Sequence, residues 1–291
     1  MAPADSGLFD RLERFYDALP RPWSRIEEIG SLVLFIRAGE GWPYYARPSL
    51  GSHTPSAADI LEVRARQRDL GLPETFEWVH ETSPGMLAVA RSAGLDVLLA
   101  PLLVLDPAAL VPDLPLRDAE ARWLDPRAPT FPADVRASRA VARLAFAAPA
   151  HRAPLASAME KTLVIEAAGP AERDAGEMLS AEAVRHAREL FGSGDYLAVL
   201  AESPAEGIVA TATGQRAGDV AEVVGVATLP SARQRGYASQ LTATLAGRLL
   251  ADGVDLVFLS AGDDDVARLY TRVGFRRVGT ACIAEPAAAP L

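Results

Sequence analysis

The sequence has 291 residues, about two domains' worth at ~150 residues each. With 49% apolar and 23% charged residues it is too apolar for a disordered chain. The 38 acidic and 29 basic residues give a net charge of −9, which repels phosphate backbones, argues against a general nucleic-acid binder and suits a cationic substrate.

Met1–Asp10 is polar and lacks the apolar core of a signal peptide. Ser31–Arg37 and Trp42–Arg47 read as strands, Ala57–Leu70 as a helix, Glu74–His80 as a strand, Pro84–Ala93 as a helix and Asp96–Leu105 as a strand. Alternation puts Phe76, Trp78 and His80 on one face, which a core strand with a satisfied histidine explains better than a site does. Trp42, Tyr44 and Tyr45 form an aromatic cluster that core packing accounts for, with an acceptor pocket as the alternative. The longest apolar run, Val97–Leu105, has nine residues, whereas a membrane span needs ~20. The expected setting is therefore cytoplasmic, with no membrane partner.

From Asp106 to Pro132 there are six prolines. Proline breaks helices and cannot donate in a central strand, so the stretch reads as a connector. The expected domains are 1–110, a connector at 111–132, and 133–291. Beyond the connector, Asp134–Phe146 and Ala181–Phe191 read as helices. Tyr196–Glu202 and Gly207–Thr213 are β-like runs joined by a hairpin signal, and Val220–Leu229 is a third. Ser239–Ala251 is helical, with Leu241, Leu245 and Leu249 at i, i+4 steps, and Val254–Leu259 is a buried strand. Asp264–Val273 is a helix and Phe275–Ile283 a closing strand. The order describes an α/β (α+β) mixed sheet covered by helices. The single Cys282 excludes an internal disulfide and a cysteine-based metal site, and His53, His80, His151 and His186 show no ligand spacing. No metal is expected.

The most informative stretch joins the third run to the helix beginning near Ser239. Its loop carries Arg233, Gln234, Arg235 and Gly236 and continues through Tyr237, Ala238 and Ser239. N–H groups at a helix N-terminus lack intrahelical acceptors, and with the helix dipole they bind phosphate. Gly236 and Ala238 lack bulk, and the two arginines add charge-assisted donors. From the loop alone, an ordinary strand–turn–helix with surface arginines serves equally well.

The loop matches neither G-x-x-x-x-G-K-[ST] nor G-x-G-x-x-G, but Arg233, Gly236 and Ala238 fit R-x-x-G-x-A. About thirty residues on come Tyr270, Gly274 and Phe275 as Tyr-x-x-x-Gly-Phe. The two motifs at this spacing resemble the GNAT superfamily of acetyl-CoA-dependent N-acetyltransferases, over roughly 130–285. The resemblance implies that the amides of Arg235–Ser239 hold the coenzyme A pyrophosphate. It also implies that β-run residues Val224, Val226 and Ala227 lie along the pantetheine arm, with Gly225 marking a bulge, and that Ser260 adds a polar contact. Tyr270 would protonate the leaving thiolate; its alternative is a core aromatic. Glu222 resembles the general base of histone-acetylating members; its alternatives are a structural or solvated carboxylate, with water taking the proton. Where the family often has Asn, this chain has Asp263, Asp264 and Asp265, better suited to capping a helix than to meeting phosphates.

The first 110 residues resemble a worn copy of the same domain. Gly94-Leu95 can be laid on Gly274-Phe275, which places Ala90 at the position of Tyr270, and no R-x-x-G-x-A precedes Ala57–Leu70. The chain is thus identified as a tandem GNAT protein with one coenzyme site, acting on a primary amine in a ternary complex with acetyl-CoA. A non-catalytic acyl-CoA-binding or sensor protein of the same fold is the alternative, and a scaffold that keeps only the fold is a third. The acceptor is a small-molecule or peptide amine; a homodimer and a monomer with an internal pseudo-dimer both fit.

Overall fold

The computed structural model describes residues 3–39, 43–112, 116, 118–148 and 168–287. The chain divides into two compact units that do not follow sequence order. One contains 1–104, 258–268 and 276–291, and the other 105–257 and 269–275.

In the first unit, α1 (Pro3–Ala18) precedes β1 (Ser24–Ile29), β2 (Leu32–Arg37) and β3 (Arg47–Pro48), an antiparallel sheet in that order. Among the described residues β3 starts at Arg47; Trp42 lies outside them. Ala46 makes a parallel bridge to Phe76, and the Arg37 guanidinium stacks over the Tyr44 ring at 4.3 Å. The helix α2 (Ala57–Asp69) opens on a capping box. Asp59 N–H donates to Ser56 Oγ (3.2 Å) and Ser56 N–H to Asp59 Oδ2 (2.9 Å).

Next come β4 (Phe76–Val79), α3 (Met86–Ser92) and β5 (Leu95–Leu105). The last strand of the chain, β11 (Phe275–Pro286), lies between β4 and β5, with Cys282 opposite Trp78, and β10 (Leu256–Ser260) follows β5. Leu32, Leu34, Ile60, Val63, Phe76, Trp78, Met86, Ala90 and Cys282 form one buried core. Each large apolar side chain buried there contributes roughly 1.5–3 kcal/mol. The core fixes the state of the lone thiol. Cys282 is fully buried and its pKa is pushed up to about 12, first by burial. A thiol so placed is a packing residue and a poor nucleophile. His80 corrects an expectation: it sits at the end of β4 half-buried, and its Nδ1 has no hydrogen-bond partner among the described residues.

α1 was not legible as an element of this unit. It packs by Phe15 and Tyr16, edge-on to Phe258 at 5.1 and 5.5 Å, and Glu13 pairs with the buried Arg47 at 2.8 Å.

The second unit is built on β6 (Glu120–Trp123), β7 (Tyr196–Ser203), β8 (Gly207–Ala217) and β9 (Val220–Thr228), antiparallel in the order β9-β8-β7-β6. Its helices are α4 (Phe131–Ala147), α5 (Pro170–Asp174), α6 (Ala181–Gly192), α7 (Tyr237–Ala251) and the end of α8 (Asp264–Thr271). The proline-rich stretch is therefore more than a connector, since β6 lies inside it. Arg122 of β6 explains why. Its guanidinium grips the buried Asp134 of α4 with two bonds (2.7 and 3.0 Å) and pairs with Glu202 of β7. Thr130 Oγ1 donates to the same Asp134 at 2.9 Å. A bidentate Arg–carboxylate pair of this kind is specific in direction.

Ser138 of α4 shares a hydrogen bond with Thr211 of β8 at 2.8 Å. A Cβ on Gly214 would meet Leu245 and Leu249 of α7 at 3.2–3.3 Å. Positions 211 and 214 of one strand face opposite ways, so α4 and α7 cover opposite faces of the sheet. The i, i+4 row Leu241, Leu245 and Leu249 is fully buried, as its spacing indicates.

Candidate active site

The strand β9, the loop after it and the start of α7 form one continuous feature. In the β8–β9 ladder Thr213 pairs with Val224 and Thr211 with Ala227. Gly225 and Val226 therefore oppose the single residue Ala212, which is a β-bulge. Gly225 takes φ +60°, and a Cβ there would meet nothing within 4 Å. The left-handed backbone, rather than lack of space, is what calls for glycine. The bulge sits at the position expected for Gly225. Glu222 and Ala227 are buried; Val224 and Val226 are half-buried.

β9 ends at Thr228, and a single 3₁₀ turn, Pro230–Ala232, leads into the loop. Gln234 takes φ +64°, alone in this respect among the described non-glycine residues, and Gly236 takes φ +88°. A left-handed glutamine costs about 1 kcal/mol or more and persists only where the surroundings impose it. Left-handed residues in a turn are a recurrent element of the backbone concavities that bind anions. The first intrahelical bond of α7 runs from Gln240 N–H to the Gly236 carbonyl (3.2 Å). The N–H groups of Tyr237, Ala238 and Ser239 therefore have no acceptor in their own helix, and Gly236 supplies no side-chain cap. Together with the dipole of a 15-residue helix, these free N–H groups can hold an anion.

The arginines behave differently from the expectation that both reach for phosphate. Arg233 Nη2 donates to the Ala145 carbonyl at 2.9 Å, at the C-terminal end of α4, where a cation suits the dipole. Arg235 Nη1 binds Glu206 Oε1 (2.6 Å) and Asp118 Oδ2 (3.2 Å), and Nη2 reaches the Ser231 carbonyl (3.3 Å). Its hydrogen bond to Glu206 raises its pKa further above the usual arginine value. The buried Tyr237 ring sends its hydroxyl to Asp118 Oδ1 at 2.8 Å. Burial, then this bond to a carboxylate, raise the Tyr237 pKa. Asp118 and Glu206 were not found from the sequence, because a lone acid in a loop carries no pattern.

Tyr270 lies in the last turn of α8, buried, its ring edge-on to Phe275 at 6.2 Å. Burial raises its pKa well above the usual tyrosine value, and no hydrogen bond to its hydroxyl is found among the described residues. The motif's Gly274 has φ +120°, and a Cβ there would lie 2.6 Å from the Ala109 carbonyl oxygen. Asp106 N–H donates to the Gly274 carbonyl (3.0 Å) and Val111 N–H to that of Val273 (3.1 Å). These bonds hold the end of α8 against the stretch 106–111.

Glu222, Val224, Val226, Ala227, the loop 233–239 and Tyr270 thus belong to one compact unit. Ser260 ends β10 in the other unit. Of the acidic triplet, Asp263 caps the helix as expected, and the other two form ion pairs. Asp263 accepts from Val266 N–H (2.7 Å) at the start of α8, while Asp264 pairs with Arg277 (3.0 Å) and Asp265 with Arg268. Among the described residues no group of His, Cys, Asp or Glu could hold a metal ion, and no helix is long and apolar enough to cross a membrane.

Residues 165–275 match the model of the acetyltransferase (GNAT) family. No curated protein compared with the chain matches it. Among solved structures, a GCN5-related N-acetyltransferase from Kribbella flavida is 23% identical, with 96% of each chain covered and a TM-score of 0.66. A GCN5-related N-acetyltransferase-like protein from Streptococcus suis is 12% identical, with 96% of this chain and 98% of that one covered and a TM-score of 0.52. At these identities the likeness is one of fold, and it extends over both halves of the chain.

Proposed function

From the match of residues 165–275 to the acetyltransferase (GNAT) family model and a likeness of fold over 96% of the chain, we propose an N-acetyltransferase that moves an acetyl group from acetyl-CoA to a primary amine by direct attack. The observation that carries this reading is the cradle: left-handed Gln234 and Gly236 followed by three N–H groups without intrahelical acceptors. Acetyl-CoA supplies the activated acyl group as a thioester. Its pyrophosphate is assigned to the amides of Arg235–Ser239, and its pantetheine arm to the bulged strand at Val224, Val226 and Ala227.

The amine nitrogen attacks the thioester carbonyl carbon, the C–S bond breaks and the sulfur leaves with the electron pair. Tyr270 gives its hydroxyl proton to that sulfur. The hydroxyl carries its proton at neutral pH, and the tyrosinate left after donation regains a proton from solvent. The ammonium formed on the acceptor loses its proton to Glu222 or to water. N–H groups of β9 polarise the carbonyl oxygen. The proposed setting is the cytoplasm.

The test is release of free thiol from acetyl-CoA with a panel of polyamines, aminoglycosides and lysine peptides. The reading predicts acceptor-dependent thiol release with at least one class. Coenzyme binding without release on any amine would make the chain an acyl-CoA sensor instead.

A further inference from the structure

Arg235 is the cation nearest the cradle in sequence, yet its guanidinium is turned onto two carboxylates and the carbonyl of its own loop. The carboxylates are themselves anchored. Glu206 sits in the β7–β8 turn, where the buried Arg173 donates to the carbonyls of Glu206 (2.6 Å) and Ile208 (2.7 Å). Gly207, at φ +70°, leaves room for that guanidinium, since a Cβ there would stand 3.2 Å from Arg173 Nη1 and Nη2. Asp118 takes the Tyr237 hydroxyl on one oxygen and Arg235 on the other. A connected path therefore runs from Arg173 through the β7–β8 turn, Glu206, Arg235 and Asp118 to Tyr237. Arg235 and Tyr237 are the residues on either side of Gly236.

Electrostatics alone would predict that two carboxylates beside a phosphate cradle weaken it. The geometry opposes this. Glu206 and Asp118 meet the guanidinium and the tyrosine hydroxyl through side-chain bonds, and the cradle itself is made of backbone N–H groups. Left-handed Gln234 needs its neighbours held if the loop is to keep that conformation before an anion arrives. A cradle already in place avoids an ordering cost on binding.

We infer that Glu206 and Asp118 are positioning residues for coenzyme binding, acting through Arg235 and Tyr237 to hold the cradle loop in its strained, binding-ready conformation. This rests on the coenzyme reading above and assigns the affinity to the backbone, with Arg235 as a strut rather than a phosphate ligand. The opposite assignment makes an opposite prediction: if the acids merely occupy an arginine meant for phosphate, removing one should tighten binding.

The experiment is isothermal titration of coenzyme A into the full chain and its variants. Glu206→Gln should weaken binding about tenfold. In an Arg235→Ala background, Glu206→Gln should change affinity less than twofold, because the strut is already gone. Asp118→Asn should weaken binding in the same direction, with hydrogen exchange accelerated in the peptide covering 231–240 and unchanged in β8. Equal or tighter binding by Glu206→Gln would overturn the inference, as would losses that simply add in the double variant. Failure of the unaltered protein to bind coenzyme A would instead overturn the coenzyme reading beneath it.

Discussion

Replacing Gly274 with alanine is expected to cost about 3 kcal/mol or more of unfolding free energy. Two effects add. The backbone at φ +120° is one that side chains rarely adopt, and such conformations cost of order 1–3 kcal/mol. The new Cβ would also lie 2.6 Å from the Ala109 carbonyl oxygen and 2.9 Å from the Leu110 nitrogen. Both are backbone atoms, fixed by the bonds of Asp106 and Val111 to Gly274 and Val273. Relief would require the 106–111 stretch to move off the end of α8. Gly225→Ala is the control: φ is also positive there, but nothing lies within 4 Å of its Cβ, so about 1 kcal/mol is expected. Urea unfolding of the two variants distinguishes the effects, and equal losses would show that the contact with Ala109 is unimportant.

Tyr270→Phe should lower kcat about a hundredfold, with coenzyme affinity within roughly twofold of the unaltered protein. The change deletes one hydroxyl and leaves the ring against Phe275. Any loss is then one of proton donation rather than packing. The pH dependence has a defined sign. Burial raises the tyrosine pKa, so the protonated, active form persists through pH 10 and activity falls only as pH rises beyond that. Loss of coenzyme affinity with kcat preserved would contradict the acid role.

Much of the site could be read in the sequence because its chemistry is tied to short motifs. R-x-x-G-x-A located the cradle, and Gly225 marked the bulge in β9; the left-handed backbone at both Gly225 and Gly236 (φ +60° and +88°) is a finding of the structure. Gln234 gave no such signal, since its left-handed backbone is imposed by neighbours rather than favoured by its own side chain. Asp118 and Glu206 lie 117 and 29 positions from Arg235, and nothing local marks a carboxylate that will meet an arginine so far along the chain. From Ala57 onward the expected helices and strands followed from periodicity, with ends no more than four residues from those observed. The strand Glu120–Trp123 was hidden because flanking prolines dominate its stretch, while what makes it a strand is its ladder with β7 and the grip of Arg122 on Asp134. The placing of β11 beside β4 was not legible either. An apolar strand records that it is buried, but not which strand it will join.

The worn-copy reading keeps its sense at the level of backbone. Gly94 and Gly274 both follow a helix, both take positive φ and both open a strand, while Ala90 stands where Tyr270 does. The division into 1–110, 111–132 and 133–291 stays a proposal about motifs and descent, because the compact units draw on both ends of the chain.

The most direct test of the central claim is the stoichiometry of coenzyme A binding by isothermal titration, on the unaltered chain and on Gly236→Asp. One site per chain, abolished by a carboxylate at Gly236, is expected if the cradle binds the coenzyme. No binding, two sites, or one site indifferent to Gly236→Asp would contradict it.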